Sequence, residues 1–280
     1  MQKRNATAAV IGAGDFIGSE IAKKFAAEGF TIFAGRPSVN KLAPLAELIE
    51  KAGGTIVPRS LDARKEEEIT AFLQDADAHA PLEVCIFNIR ANVNYPLLDT
   101  TERVFRKVWE MGCYSGFLAG REAARLMLPR GRGNTFFTGA TASLRGGSGY
   151  VAFASAKFGL RAVAQAAARE LGPQNIHVAH LVIDSGVNTQ WVRERIRART
   201  AEHSPSADNV WRPGCIAVRE LAAGQRTARP HHSSKRIPRL KPFIDASLDR
   251  VAAHDDPPRA RLKPKSDKQK PDQVPVNARS

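Results

Sequence analysis

The sequence has few of the residues that build disulfide frameworks or metal sites. Its 3 cysteines, Cys85, Cys113 and Cys215, form no CxxC pair and have no histidines at ligand spacing, which excludes a disulfide scaffold and a zinc site. It also lacks an apolar run long enough to cross a bilayer, and Gly12 and Asp15 interrupt the apolar segment near its start, unlike the core of a signal peptide. These absences predict a cytoplasmic protein without a membrane span or a metal.

The last third of the chain has few aromatic residues and little apolar periodicity. Residues 200–280 hold 10 of the 17 prolines and half of the net charge of +14. Such a segment cannot bury enough surface to offset its ordering entropy, so we predict a disordered basic Pro/Arg-rich tail, with a short helix around 215–223. Interspersed acidic residues disfavour a nucleic-acid partner. The segment is either a genuine tail for anionic partners or the product of a shifted reading frame.

The part of the chain before the tail alternates between apolar runs and amphipathic helices. This alternation predicts an α/β fold over residues 5–195 with a doubly wound parallel sheet, in which ligands bind beyond the carboxyl ends of the strands. Two longer helices are predicted over roughly Thr101–Leu128 and Ala152–Leu171. The predicted strands are Ala8–Ile11, Phe30–Ala34, Thr55–Val57, Glu83–Phe87, Thr135–Thr138 and His177–Ile183.

A glycine-rich turn follows the first predicted strand. Glycines let the backbone turn sharply and approach a ligand, and the helix behind them directs free N–H groups and a positive dipole end to the same place. This context favours the pyrophosphate of a dinucleotide, although a bare strand-to-helix turn has the same pattern. The segment comprises Gly12, Gly14, Asp15, Phe16, Ile17 and Gly18.

Further motifs occur after the later strands and on the second long helix. Asp62 follows the third strand, Asn88 the fourth, Lys157 lies on the helix, and Gly186 and Thr189 follow the sixth strand. With the glycine turn they make residues 8–189 resemble the short-chain dehydrogenase/reductase family. The resemblance implies a Rossmann-like sheet in the order 3-2-1-4-5-6-7, an NAD(P) cofactor, and hydride transfer to or from a carbonyl or alcohol. The family's seventh strand has no convincing match here.

The resemblance also implies roles for single residues. The glycines would hold the pyrophosphate, Asp62 would contact the adenine, and Asn88 would steady the fourth strand beside the cofactor. Thr189, with Gly186 in the same segment, would lie near the carboxamide. Lys157 would anchor the nicotinamide ribose, although an exposed helix lysine is the alternative.

Arg36 decides the cofactor prediction. The second strand ends without an acidic side chain to accept hydrogen bonds from a ribose 2′-hydroxyl, and Arg36 suits a 2′-phosphate, which favours NADP over NAD. The negative charge of Asp15 favours NAD instead. The alternative interpretation of Arg36 is a solvated arginine in a loop.

The expected catalytic positions depart from the family pattern. Phe153 stands where the family has its tyrosine, Ala140 replaces its serine, and Cys113 replaces its asparagine. Arg90 replaces a glycine near the expected nicotinamide ribose, and Phe16 replaces the usual middle glycine of the turn.

Other side chains are candidates for the missing proton donor. We predict that Lys157 acts with Tyr150, Thr138 or Thr141, a phenol or hydroxyl being able to protonate a carbonyl. On this prediction the protein is an NAD(P)-dependent oxidoreductase that acts on a carbonyl or alcohol of a small molecule. We also predict that it is a homo-oligomer. The alternative is a cofactor-binding protein without turnover that acts as a sensor or an oligomer partner.

Overall fold

Seven strands form one sheet in this computed structural model, which describes residues 3–183 and 218–221. They are β1 (Thr7–Ile11), β2 (Thr31–Arg36), β3 (Thr55–Ser60), β4 (Leu82–Phe87), β5 (Gly133–Ala140), β6 (Ile176–Ile183) and β7 (Val218–Leu221). Their order in the sheet is β3-β2-β1-β4-β5-β6-β7, with β1 to β6 parallel and β7 antiparallel to β6. The predicted doubly wound parallel sheet is confirmed for six strands.

Helices cover both faces of this sheet. They are α1 (Ile17–Ala27), α2 (Ala43–Lys51), α3 (Glu66–His79), α4 (Glu102–Trp109), α5 (Ser115–Met127) and α6 (Val151–Leu171). One face packs against α1 and α2, the other against α3, α5 and α6. The central strands β1 and β4 are buried along their whole length, as expected for a parallel sheet covered on both sides.

The helix predicted over Thr101–Leu128 is interrupted by a π-helical turn, Glu110–Tyr114, which separates α4 from α5. Glycines in this region let α6 approach closely. A Cβ at Gly112 would lie 3.0 Å from the Cβ of Ala156, and one at Gly116 would overlap Leu160. Ala156 of α6 therefore packs against this turn within the chain.

The seventh strand lies inside the predicted tail, residues 200–280. The helix predicted around 215–223 is wrong at Val218–Leu221, where the backbone pairs with β6 from Ile183 to His180. An edge strand offers unpaired backbone groups to any extended segment that reaches it, which overrides weak local helix propensity. The rest of the predicted tail lies outside the described residues.

We expect Leu160→Ala to lower the free energy of unfolding by about 2–5 kcal/mol, because Leu160 is fully buried between α5 and α6 and the substitution leaves a cavity. Glu170→Ala on the same helix is the matched control, since Glu170 is exposed, and we expect a change within about 0.5 kcal/mol. Urea denaturation followed by circular dichroism measures both. Equal losses in the two variants would contradict this packing.

Candidate functional site

The glycine turn after β1 is shaped by its contact with the end of β4. Gly12 has a φ of +87°, and a Cβ there would lie 2.7 Å from the backbone oxygen of Asn88. Asn88 fastens the turn, because its Nδ2 donates to the backbone oxygen of Gly12 at 3.0 Å. A Cβ at Gly18 would lie 2.5 Å from that same oxygen. The chain's own backbone therefore requires glycine at both positions.

Gly14 differs from these two glycines because the space beside it is open. The nearest heavy atom to a Cβ built there is the backbone oxygen of Gly12, 4.0 Å away. The helix α1 starts at Ile17, no side chain caps it, and its N-cap residue Phe16 is 47% exposed. Open space, backbone N–H donors and the positive end of a helix together fit a phosphate group of a dinucleotide.

A charged contact joins the turn to the end of β2. The backbone oxygen of Gly35 accepts from the N–H of Gly12 at 2.9 Å, which fixes the two segments relative to each other. Arg36 Nη1 donates to Asp15 Oδ1 at 2.8 Å and to the backbone oxygen of Lys41 at 3.3 Å. The two residues that favoured opposite cofactors in the sequence thus form one ion pair.

Asp62 lies just after β3 and is engaged by Arg64. The guanidinium donates from Nε to Oδ1 at 2.9 Å and from Nη2 to Oδ2 at 2.6 Å, and this contact lowers the pKa of the Asp62 carboxyl. A contact from Asp62 to an adenine ring would therefore share the carboxylate with Arg64. The sequence analysis missed Arg64, although an opposite charge two positions away was a visible signal.

Lys157 is buried, with only 3% of its surface exposed, so the exposed helix lysine considered as the alternative is ruled out. Its Nζ donates to the backbone oxygens of Thr138 at 2.8 Å and Ile89 at 3.3 Å, which belong to β5 and to the loop after β4. Burial lowers the pKa of Lys157 to about 8, and the nearby Cys113 opposes this shift. The result is an ammonium group held at the carboxyl ends of two central strands.

Tyr150 is the N-cap residue of α6, as the preceding glycine suggested. It lies where the loops after β4 and β5 meet, because Gly149 accepts a backbone hydrogen bond from Tyr95 at 2.8 Å and a side-chain one from Asn94 at 3.3 Å. Tyr150 is half-buried, whereas Phe153 is buried. The ring of Tyr150 lies 6.5 Å from the ring of Phe153, between centroids, so the phenol is next to the position where the family has its tyrosine.

The hydroxyl candidates near the end of β5 differ in accessibility. Thr138 Oγ1 is buried and has no hydrogen-bond partner among the described residues. Thr141 is half-buried just beyond the strand. Ser143, in turn, is buried and accepts from the backbone N–H of Ala140 at 3.1 Å, which ties up its hydroxyl in local structure.

His180 on β6 is a buried titratable group that the sequence analysis missed. It is 1% exposed, and burial lowers the pKa of its imidazole to about 3, with contributions from Lys157 and Arg161. Neither ring nitrogen has a hydrogen-bond partner in the described part of the chain. Its ring occupies the space above Gly139, where a Cβ would overlap it. Its position between apolar residues of a predicted buried strand was the available signal.

The remaining predicted positions are placed as follows. Cys113 is buried, which raises the pKa of its thiol, and Arg90 is exposed. Gly186 and Thr189 lie outside the described residues. Within residues 3–183 and 218–221, no group of three or more His, Cys, Asp or Glu side chains has metal-binding geometry, and no helix is long and apolar enough to cross a membrane.

The open space at Gly14, the start of α1 without a side-chain cap and the buried lysine at the same sheet edge are features typical of dinucleotide-binding α/β proteins. Residues 6–199 match the short chain dehydrogenase family. The chain therefore belongs to the short-chain dehydrogenase family, whose members bind NAD(P).

Solved structures agree with this assignment. A short-chain dehydrogenase from Rhodopseudomonas palustris is 68% identical, and the match covers 72% of this chain and 93% of that one with a TM-score of 0.64. A metagenomic short-chain oxidoreductase in complex with NADP shares the fold, with 24% identity, a TM-score of 0.60 and coverage of 66% and 84%.

Curated relatives are more distant. An NADPH-dependent 1-acyldihydroxyacetone phosphate reductase of Saccharomyces cerevisiae is 27% identical over 192 residues, which are 67% of this chain and 63% of that protein. An L-2,3-butanediol dehydrogenase of Corynebacterium glutamicum is 29% identical over 171 residues, which are 60% and 66% respectively. The chain thus spans slightly less than two-thirds of the length of these two relatives.

Gly14→Ala and Gly18→Ala distinguish a glycine that leaves space for a ligand from a glycine that the fold itself requires. We expect Gly14→Ala to keep the free energy of unfolding within about 0.5 kcal/mol of wild type, because its Cβ comes no closer than 4.0 Å to the backbone oxygen of Gly12, but to weaken NADPH binding about tenfold or more. Gly18→Ala should cost about 1–3 kcal/mol of stability, because its Cβ would strike backbone. Fluorescence titration and urea unfolding measure the two effects. Unchanged NADPH affinity in Gly14→Ala would contradict a phosphate site in the open space beside Gly14.

The buried ammonium predicts a pH dependence of stability. The pKa of Lys157 is about 8 in the folded chain against 10.5 for a free lysine, so between these values the unfolded chain binds a proton that the folded chain has released. The free energy of unfolding should therefore rise with pH across this window, by about 1–3 kcal/mol relative to Lys157→Met. Urea unfolding of both proteins at pH 7.5 and pH 10 measures the difference. Identical pH dependence in the two would refute the shift.

Proposed function

We propose that this protein is an NADP(H)-dependent oxidoreductase that interconverts a carbonyl and an alcohol of a small molecule. The observation that carries the proposal is the buried ammonium of Lys157, held at the same sheet edge as the open space beside Gly14. In doubly wound folds a dinucleotide lies along this edge. The reductase of Saccharomyces cerevisiae and the dehydrogenase of Corynebacterium glutamicum support a redox activity by their names.

Arg36 supports NADP as the cofactor. Its guanidinium carries five N–H donors, and its contacts to Asp15 and Lys41 both leave from Nη1. The fork geometry of the remaining donors suits a phosphate better than a hydroxyl. The other proposed cofactor contacts are those expected from the sequence, namely Gly12, Gly14, Asp15, Phe16, Ile17, Gly18, Asp62, Asn88, Gly186 and Thr189.

The proposed catalytic roles follow from accessibility. A bound nicotinamide supplies or takes up the hydride. Lys157 keeps its ammonium at the ribose and maintains a positive potential around the reacting oxygen, because its pKa of about 8 leaves it protonated at pH 7. Tyr150 donates the proton and the half-buried Thr141 hydrogen-bonds the carbonyl oxygen, whereas the hydroxyl of Thr138 is too deeply buried to reach a substrate.

We further propose that residues 5–195 form the active domain together with the strand Val218–Leu221, and that the rest of residues 200–280 is an appended basic tail. We also propose that the protein is a cytoplasmic homo-oligomer. Exposed aromatic rings on α4, α5 and α6 support self-association, since a second copy could bury them. These rings are Phe105, Trp109, Phe117 and Phe158, which are 38%, 40%, 40% and 41% exposed.

NADPH oxidation against a panel of aldehydes, ketones and quinones tests the reaction. We expect turnover by the wild type, a fall in kcat of about 10²-fold or more in Tyr150→Phe through loss of the proton donor, and loss of turnover in Lys157→Ala. Tyr95→Phe removes a neighbouring phenol outside the proposed machinery and should change kcat by less than about threefold.

Three results would change this proposal. Absence of saturable NADPH and NADH binding would exclude it altogether. Full activity in Tyr150→Phe would reject Tyr150 as the acid. Cofactor binding without turnover, with activity gained in Phe153→Tyr, would instead favour a cofactor-binding protein that does not catalyse, because that variant restores a phenol one helical turn before Lys157.

A further inference from the structure

The ion pair between Asp15 and Arg36 connects the glycine turn to the end of β2. Arg36 Nη1 and Asp15 Oδ1 are 2.8 Å apart, and the side chains are 18% and 68% exposed. The backbone beneath the pair is held by the hydrogen bond from Gly12 N–H to the oxygen of Gly35 at 2.9 Å. The two charges therefore meet on a rigid support, at the place where the adenosine ribose of a dinucleotide lies in doubly wound folds.

The surroundings of Gly35 and Arg36 strengthen this constraint. A Cβ at Gly35 would lie 2.6 Å from Leu61 Cδ2, so β2 ends tightly packed against the residue before Asp62. The backbone oxygen of Arg36 also accepts a hydrogen bond from the backbone N–H of Leu61 at 3.1 Å. With its main chain fixed on both sides, Arg36 can change partners only by moving its side chain.

We propose that Asp15 competes with the cofactor's 2′-phosphate for Arg36 and so sets the discrimination between NADPH and NADH, an inference that rests on the proposed NADP(H) function. When the ribose carries a hydroxyl, Asp15 keeps its ion pair and offers its carboxylate as the acceptor that β2 itself does not provide. When the ribose carries a phosphate, Arg36 releases Asp15 and binds the phosphate. Asp15 is thus a positioning residue that acts through Arg36.

The charges determine the direction of the effect. A phosphate that binds Arg36 must displace the negatively charged carboxylate of Asp15 from the guanidinium, so Asp15 weakens NADPH binding. Asn at this position keeps an oxygen that accepts from Arg36 but removes the charge. Asp15→Asn should therefore lower the Kd for NADPH and leave the Kd for NADH equal or higher.

Isothermal titration of NADPH and NADH tests this in four proteins: wild type, Asp15→Asn, Arg36→Gln and the double variant. We expect Asp15→Asn to lower the Kd for NADPH about three- to tenfold, with the Kd ratio of the two cofactors shifting in the same sense. In the Arg36→Gln background the same change should alter that ratio by less than about twofold, since the residue contested by carboxylate and phosphate is gone. The melting temperature of the unliganded Asp15→Asn variant should stay within about 2 °C of wild type, because an exposed pair contributes little to stability.

The outcomes are distinguishable. NADPH binding with an unchanged cofactor ratio in Asp15→Asn overturns this inference and leaves the proposed function intact. An equal shift of the ratio with and without Arg36 also overturns it, because it would indicate simple repulsion between Asp15 and the phosphate. Binding of neither cofactor by the wild type overturns both the inference and the proposed function.

Discussion

The structure depends on the close approach of two chain segments at the end of the central strands. Gly12 and Asn88 meet with no space for a Cβ, and the Asn88 side chain closes the contact with a hydrogen bond. Because β1 and β4 are neighbours in the sheet, this contact fixes where α1 starts and how the turn bends. This packing requires glycine at positions 12 and 18, whereas the space beside Gly14 stays open.

Burial of the Lys157 ammonium has a high electrostatic cost. An ammonium removed from water is unfavourable unless its donors are satisfied, and two backbone oxygens, those of Thr138 and Ile89, satisfy them here. Backbone oxygens compensate only in part, which is why the pKa of Lys157 falls to about 8. A group retained at such a cost at the ligand-binding edge of the sheet is a candidate for function.

Much of the site was predictable, but only as positions along the chain. The spacing of Gly12, Asn88 and Lys157 placed them after the first strand, after the fourth strand and on the long helix, and the structure has them there. The burial of the site residues and the contacts between their side chains were not predictable. The partner of Asp62, the burial of His180 and the pairing of Asp15 with Arg36 all depend on which side chains the folded backbone brings within reach.

The sequence by itself determined the alternation of strands and helices, the parallel sheet and the glycine turn, because hydrophobic periodicity and glycine placement act over a few neighbouring residues. Tertiary structure alone decided the extended pairing of Val218–Leu221, since a strand at a sheet edge imposes its geometry on a segment with weak preferences of its own. It also decided that Lys157 is buried and that Arg36 is held by Asp15. Burial and ion pairing are properties of three-dimensional proximity, which a one-dimensional pattern does not contain.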